Sequence, residues 1–288
     1  MTLEASSMNG VLPRRRVVRR VLAADPSLEY YVYVPGTGGH DAPLFVAMHG
    51  ISRNAREQAK AFVSHCERAG AVLVAPLFAA DKHPDYQRLG RAGFGPRADA
   101  ALNDILEEVT RLTGAGATQI YLFGHSGGAQ FAHRYIMACP HRVARAVIAS
   151  SGWYTLPDDR QRFPYGIRRT RKLPGVRFDP EEFLRVPIKV LVGAQDTASA
   201  GLRQTARVAP QGKTRIDRAR NWVEAMRNAA SAYRLEPLVT LEVIPDGVHS
   251  FARLIEHHRF GDKVFEALFG SSASRAPSRV PSRVNGHK

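Results

Sequence analysis

Short apolar runs along this chain alternate with longer stretches in which apolar residues recur every three or four positions. Residues 28–34 (LEYYVYV) and 44–48 (LFVAM) read as strands, and the polar segment 55–69 reads as the helix that follows them. Residues 72–75 make the next strand. A loop rich in Gly and Pro runs from there to Pro96, and a helix over 97–112 carries Ala101, Ile105, Val109 and Leu112 at helical spacing. The run 119–123 (QIYLF) is a strand that leads through a sharp turn into a helix ending near Ala138. Strands follow at 143–149, 188–192 and 239–244, and a long helix over 214–233 places Trp222, Met226 and Ala229 at helical spacing. Strands this short and uniformly apolar are buried on both faces. The expected class is therefore α/β, a mostly parallel central sheet with helices covering both sides.

The same pattern divides the chain. Residues 1–27 read as an N-terminal arm or an added edge strand, 28–270 as the α/β domain, and 271–288 (SSASRAPSRVPSRVNGHK) as a disordered basic tail without a core. No internal repeat is visible. Residues 153–186 break the alternation: they are long, contain prolines and are weakly periodic. An insertion of this length after a strand's C-terminal end is expected to act as a cap over that edge of the sheet.

Composition narrows the class. In 288 residues, 44% hydrophobic and 23% charged, the balance is that of a soluble globular domain. No apolar run approaches the ~18 residues of a membrane helix, and the arginines at 14–16 and 19–20 are not followed by a secretory apolar stretch, so no membrane span and a cytoplasmic location are expected. Cys66 and Cys139 form no Cys-x-x-Cys pair and read as two free thiols of a reducing compartment, with a single disulfide between them as the alternative. The net charge of +15 raises the question of nucleic acid. Its clusters, 14–20, 168–172 and the tail, are arginines without interleaved aromatics apart from Tyr165, which favours solvated charge over specific nucleic-acid binding.

The candidate chemistry sits at the sharp turn. Gly124-His125-Ser126-Gly127-Gly128 places a serine between strand and helix with glycine two residues to either side, the arrangement that holds a hydroxyl out of the backbone as a nucleophile. Such a serine needs a base and a group to orient the base, in the chain order serine, acid, histidine. Asp196, on the turn after the run 189–192, is the favoured acid, with Asp158 and Asp246 as competitors; Asp246 more readily shapes the turn it shares with Gly247. His249, on the loop after the last strand, is the favoured base over His133, His141, His257 and His258. An oxyanion requires two convergent N–H groups. Gly127 supplies one. Ile51, in the turn after His49-Gly50, is the favoured second, ahead of Ser52, with His49 as a brace for that turn. Trp153, Tyr154 and Phe78 each follow a strand and are candidate substrate-binding walls, and Phe163 and Tyr165 are candidate cap residues. Gln211-Gly212-Lys213-Thr214 ends like a phosphate loop but has Arg207 where the first glycine belongs, and no metal-ligand spacing occurs.

On LFVAMHG at 44–50, YLFGHSGGAQFA at 121–132, LVGAQDT at 191–197 and IPDGVHSF at 244–251, the chain resembles the α/β-hydrolase superfamily over about residues 28–269. Within it the chain is similar to esterases of the polyhydroxybutyrate-depolymerase and feruloyl-esterase type. The resemblance implies the α/β-hydrolase fold and hydrolysis of a small-molecule carboxylic ester through an acyl-enzyme. Ser126 would be the nucleophile, His249 the base and Asp196 its partner, with no cofactor. Two alternatives remain open from the residues: peptide or amide cleavage on the same fold, and a non-catalytic nucleic-acid-binding protein using the basic surface. Oligomeric state and acyl preference have no signature here.

Overall fold

The computed structural model describes residues 12–37, 39–116, 118–198 and 201–270, so the expected tail at 271–288 and the first residues of the expected arm lie outside it. Eight strands form one sheet: β1 (Val17–Val21), β2 (Glu29–Tyr33), β3 (Leu44–Met48), β4 (Val72–Leu77), β5 (Ile120–His125), β6 (Val143–Ala149), β7 (Ile188–Gly193) and β8 (Val239–Ile244). Their order is β1-β2-β4-β3-β5-β6-β7-β8. β2 pairs antiparallel with β1 and β4, and every pairing from β4 to β8 is parallel. The parallel strands therefore end on one edge, and the loops leaving that edge meet there.

Alternation within the strands builds two cores. Leu44, Val46 and Met48 of β3 join one apolar cluster, and Phe45 and Ala47 join the other. The first is covered by α2 (Ala98–Thr113), α3 (Gly127–Ala138), the single turn α4 (Pro180–Phe183) and α5 (Arg215–Ala232). The second is covered by α1 (Ala55–Ala69), α6 (Phe251–His257) and α7 (Phe260–Phe269). The uniform burial of β3 and the near-uniform burial of β5 follow from this double cover, which is why these strands read as unbroken apolar runs. α5 starts where its sequence dictates: Thr214 and Asp217 form a reciprocal capping box, each side chain accepting the other's N–H.

Two features depart from the sequence reading. No helix was expected after residue 244, yet α6 and α7 close the second core. The expected insertion at 153–186 contains one helical turn and is otherwise ordered by irregular hydrogen bonds, such as Leu156 N–H to Tyr165 C=O at 2.9 Å and Phe163 N–H to Arg168 C=O at 3.0 Å. Its start is bolted to α5 and to the turn before it: Trp222 Nε1–H donates to Thr155 C=O at 2.9 Å, and the side-chain amide of Gln211, in the turn Ala209–Gln211, bonds both the N–H and the C=O of Tyr154.

Candidate active site

Ser126 lies between β5 and α3 with φ 55° and ψ −113°, a conformation unfavourable for a residue with a side chain. The surroundings impose it. Ser126 N–H donates to Ala149 C=O at 2.8 Å, tying the turn to the end of β6, and Ser126 C=O accepts from Gln130 N–H at 3.1 Å. A methyl group at Gly124 would stand 2.3 Å from the Gly128 carbonyl oxygen, and one at Gly128 would stand 2.0 Å from that of Met48. The two glycines thus let α3 lie against the strands it leaves. Although Ser126 occupies the N-cap position of α3, its hydroxyl makes no cap bond. It faces His249 instead.

His249 follows β8 and Asp196 follows β7, strands paired along their length. Their loops are sutured: Gln195 N–H donates to Gly247 C=O at 2.8 Å, and a methyl at Gly193 would stand 2.1 Å from that same oxygen. Asp246, at φ 54°, forms the turn into Gly247. His249 Nε2 is 3.0 Å from Ser126 Oγ, and its Nδ1 is 2.9 Å from Asp196 Oδ2. With Nδ1–H donated to the carboxylate, Nε2 is left to accept the serine proton. Asp196 is buried, and its other oxygen accepts from Arg215 Nη1 at 3.0 Å. Burial opposes ionisation of Asp196. The hydrogen bond and charge of His249, together with Arg215, outweigh it and hold the carboxyl below its ordinary value.

Two further histidines stay neutral beside this array. Burial first, then the neighbouring His249 ring at 5.2 Å, pushes His125 down to about 3. Burial pushes His49 down to about 4. His49 Nδ1 is 2.8 Å from Gly50 C=O and its Nε2 accepts Phe78 N–H at 2.9 Å, so the ring braces the turn after β3. That turn is closed by Arg53 N–H to Gly50 C=O at 3.1 Å and carries Ile51, 70% exposed, at the cleft mouth. Gly127 is the first residue of α3, where N–H groups have no intrahelical partner. A methyl on it would stand 3.0 Å from Ile51 Cγ2, so the two residues face each other across a narrow gap.

A cleft of about 700 Å³ opens onto Ser126 and His249. Trp153 lines it, with Gly50, Ile51, Ser52 and Gly152. The other expected walls do not. Phe78 is fully buried, its ring packed on Tyr86 and Phe131. Tyr154 is fully buried and stacked on Trp222 at 4.8 Å. Phe163 stacks on Phe178 inside the insertion, while Tyr165 packs on Trp153. Among the described residues the insertion gives the cleft only Trp153. The wall is completed by residues the pattern did not single out: Gln87, Arg88, Gln130, Arg203 and Arg215. One of them had a legible sign, since Arg215 opens α5 against the helix dipole and so needs a local anion. His133 is buried and bridges Ala129 C=O and Thr155 N–H; His141 and His257 are exposed. A larger hollow of about 790 Å³, lined by Arg162, Arg169, Arg171 and Lys172, shares no residue with the cleft. Among the described residues no His, Cys, Asp or Glu cluster could hold a metal ion, and no helix is long and apolar enough to cross a membrane.

No protein-family model matches the chain, and no curated protein matches it. Solved structures do. A poly(3-hydroxybutyrate) depolymerase from Bordetella parapertussis is 28% identical with a TM-score of 0.71, over 84% of this chain and 86% of that one. A poly(aspartic acid) hydrolase from Sphingomonas sp. KT-1 is 24% identical with a TM-score of 0.69, over 83% and 92%. An S-formylglutathione hydrolase from Staphylococcus aureus shares the fold at 12% identity and a TM-score of 0.57, over 88% and 98%. Strand order and neighbours agree, and by fold the chain is an α/β-hydrolase.

Proposed function

We propose that this protein is a serine hydrolase that cleaves carboxylic esters through an acyl-enzyme. The observation that carries the reading is the relay from Ser126 Oγ to His249 Nε2 at 3.0 Å and from His249 Nδ1 to Asp196 Oδ2 at 2.9 Å. Ser126 Oγ attacks the ester carbonyl carbon as its proton passes to His249 Nε2. The N–H groups of Gly127 and Ile51 bind the oxyanion. The bond to the alcohol oxygen breaks, His249 returns the proton to the departing alcohol, and the acyl group remains on Ser126. Water, deprotonated by His249, then attacks the acyl carbon; the acid leaves and Ser126 recovers its proton. Asp196 holds the imidazole orientation and stabilises its positive charge throughout. An ester is favoured over an amide because the 28%-identical neighbour is a depolymerase of a polyester.

The test is turnover of 4-nitrophenyl butyrate. Wild type should hydrolyse it, and Ser126→Ala should lose about 10³-fold or more in kcat with its urea midpoint unchanged. A Ser126→Ala protein as active as wild type would overturn the assignment. Aminoacyl 4-nitroanilides cleaved as fast as the esters would move the reading to an amidase.

A further inference from the structure

The wall of the catalytic cleft contains Arg88, Arg203 and Arg215 and, among the described residues, no Asp or Glu. Two of these cations are engaged: Arg215 with Asp196, and Arg88 with Asp85, which also takes Arg91. Behind the wall lie two more guanidinium groups, Arg134 and Arg218, both fully buried. Arg134 donates to the carbonyls of Gln87 at 2.7 Å and Gln130 at 3.0 Å and to Thr155 Oγ1 at 2.9 Å; its Nη2 is buried without a partner among the described residues. Arg218 donates to the carbonyls of Gly152 at 2.6 Å, Arg203 at 2.9 Å and Gly212 at 2.9 Å. Neither forms an ion pair among the described residues. Four of their six acceptor residues, Gln87, Gln130, Gly152 and Arg203, line the cleft.

Burial pushes the Arg134 guanidinium well down, and the Arg218 guanidinium down, from the ordinary arginine value; that value starts so high that a guanidinium keeps its proton in proteins, so both groups stay charged. A buried charge without a counter-ion is costly, and a site with low-dielectric walls of one sign focuses its field on the solvent-filled space in front of it. That space is the cleft. Arg203 stands at its edge with no ion pair among the described residues. Its guanidinium carbon lies 5.6 Å from the Trp153 ring centroid, over the same ring that Arg134 approaches at 4.1 Å, and its Nη2 is 3.5 Å from the Tyr165 hydroxyl. Arg218 holds the Arg203 backbone in place. The arrangement presents a planar, two-pronged donor backed by excess positive charge.

We propose that the preferred substrate is an ester bearing a free carboxylate, which Arg203 binds while Ser126 attacks the ester carbonyl. The inference rests on the reading of Ser126 as a hydrolytic nucleophile and adds the substrate's charge to it. Two matched pairs test it by pH-stat: monoethyl succinate against ethyl butyrate, with the carboxylate on the acyl side, and 4-acetoxybutanoate against butyl acetate, with it on the alcohol side. In at least one pair the anionic ester should have a kcat/KM about tenfold higher, the scale of one charge-assisted hydrogen bond. Arg203→Gln should lower that anionic-to-neutral ratio about tenfold, and sodium chloride raised from about 20 to about 500 mM should lower it in wild type. Arg203 is exposed at the cleft edge, so the variant keeps its core, and the salt series tests the charge without any substitution. Faster hydrolysis of the neutral ester in both pairs, or a preference untouched by both Arg203→Gln and salt, overturns the proposal. Ser126-dependent turnover of the neutral esters would then leave the hydrolase reading standing; its absence on all four esters would take both down.

Discussion

Replacing Gly128 with alanine should cost activity far beyond the size of one methyl group. That methyl would stand 2.0 Å from the Met48 carbonyl oxygen and 2.7 Å from that of His49, where Cβ atoms do not come closer than 3.0 Å to a neighbour. Both opposing atoms are backbone, and Met48 is held in the sheet opposite Gly124, so no side chain can swing away. The end of β3 and the start of α3 must part by about 1 Å. The proposed oxyanion donors lie on opposite sides of that seam, Ile51 beyond β3 and Gly127 at the head of α3. A misplacement of about 1 Å costs on the order of 10²-fold in rate, and the strain should lower stability by about 1–3 kcal/mol. Kinetics on ethyl butyrate with urea denaturation measure both. Gly39→Ala is the control, since a methyl there meets nothing within 4 Å. A Gly128→Ala protein with wild-type kcat/KM and midpoint would refute the reasoning.

The Asp196 pair with Arg215 is buried, so Arg215→Met should destabilise by about 3 kcal/mol or more; an unchanged urea midpoint would contradict this. Because the folded-state carboxyl of Asp196 lies below its unfolded value of about 4, its contribution is complete above that value and is lost as pH falls through the lower folded one. Urea stability should therefore decline below about pH 4, and Asp196→Asn should flatten part of the decline; parallel profiles would refute the linkage. His49→Phe removes the partners of Phe78 N–H and Gly50 C=O, so it should lower kcat more than it changes KM. Because His49 titrates only near 4, it should not alter the pH profile between about 5 and 9; a profile shift there would mean that His49 titrates in function.

What was legible in the sequence is what the strand pattern carries. Ser126, Asp196 and His249 each follow an apolar run, and parallel pairing delivers all such runs to one edge, where the three side chains lie within hydrogen-bond distance. Following a strand does not say which way a side chain turns. Phe78 turns into the aromatic layer of Tyr86 and Phe131, and Tyr154 onto Trp222, whereas Trp153, one residue earlier than Tyr154, lines the cleft. The segment 153–186 is expected as a cap from its length and prolines; its hydrogen bonds tie it to α3, to α5, to the loop before α2 and to itself. The basic wall was illegible for another reason. Apart from Arg215 at the head of α5, its members Arg134, Arg203 and Arg218 are scattered among many arginines, and only the fold separates those beneath the cleft from those in solvent. Helix α7, by contrast, has Phe260, Val264, Phe265 and Leu268 at helical spacing and could have been read.

The central claim is that Ser126 is a nucleophile activated by His249, and covalent labelling tests it most directly. A fluorophosphonate should add a single phosphonyl group to wild-type protein, with peptide mapping placing it on Ser126. Ser126→Ala should take up none, and His249→Ala should label far more slowly. Labelling of Ser126→Ala at the wild-type rate, or an adduct mapped to another residue, would contradict the account.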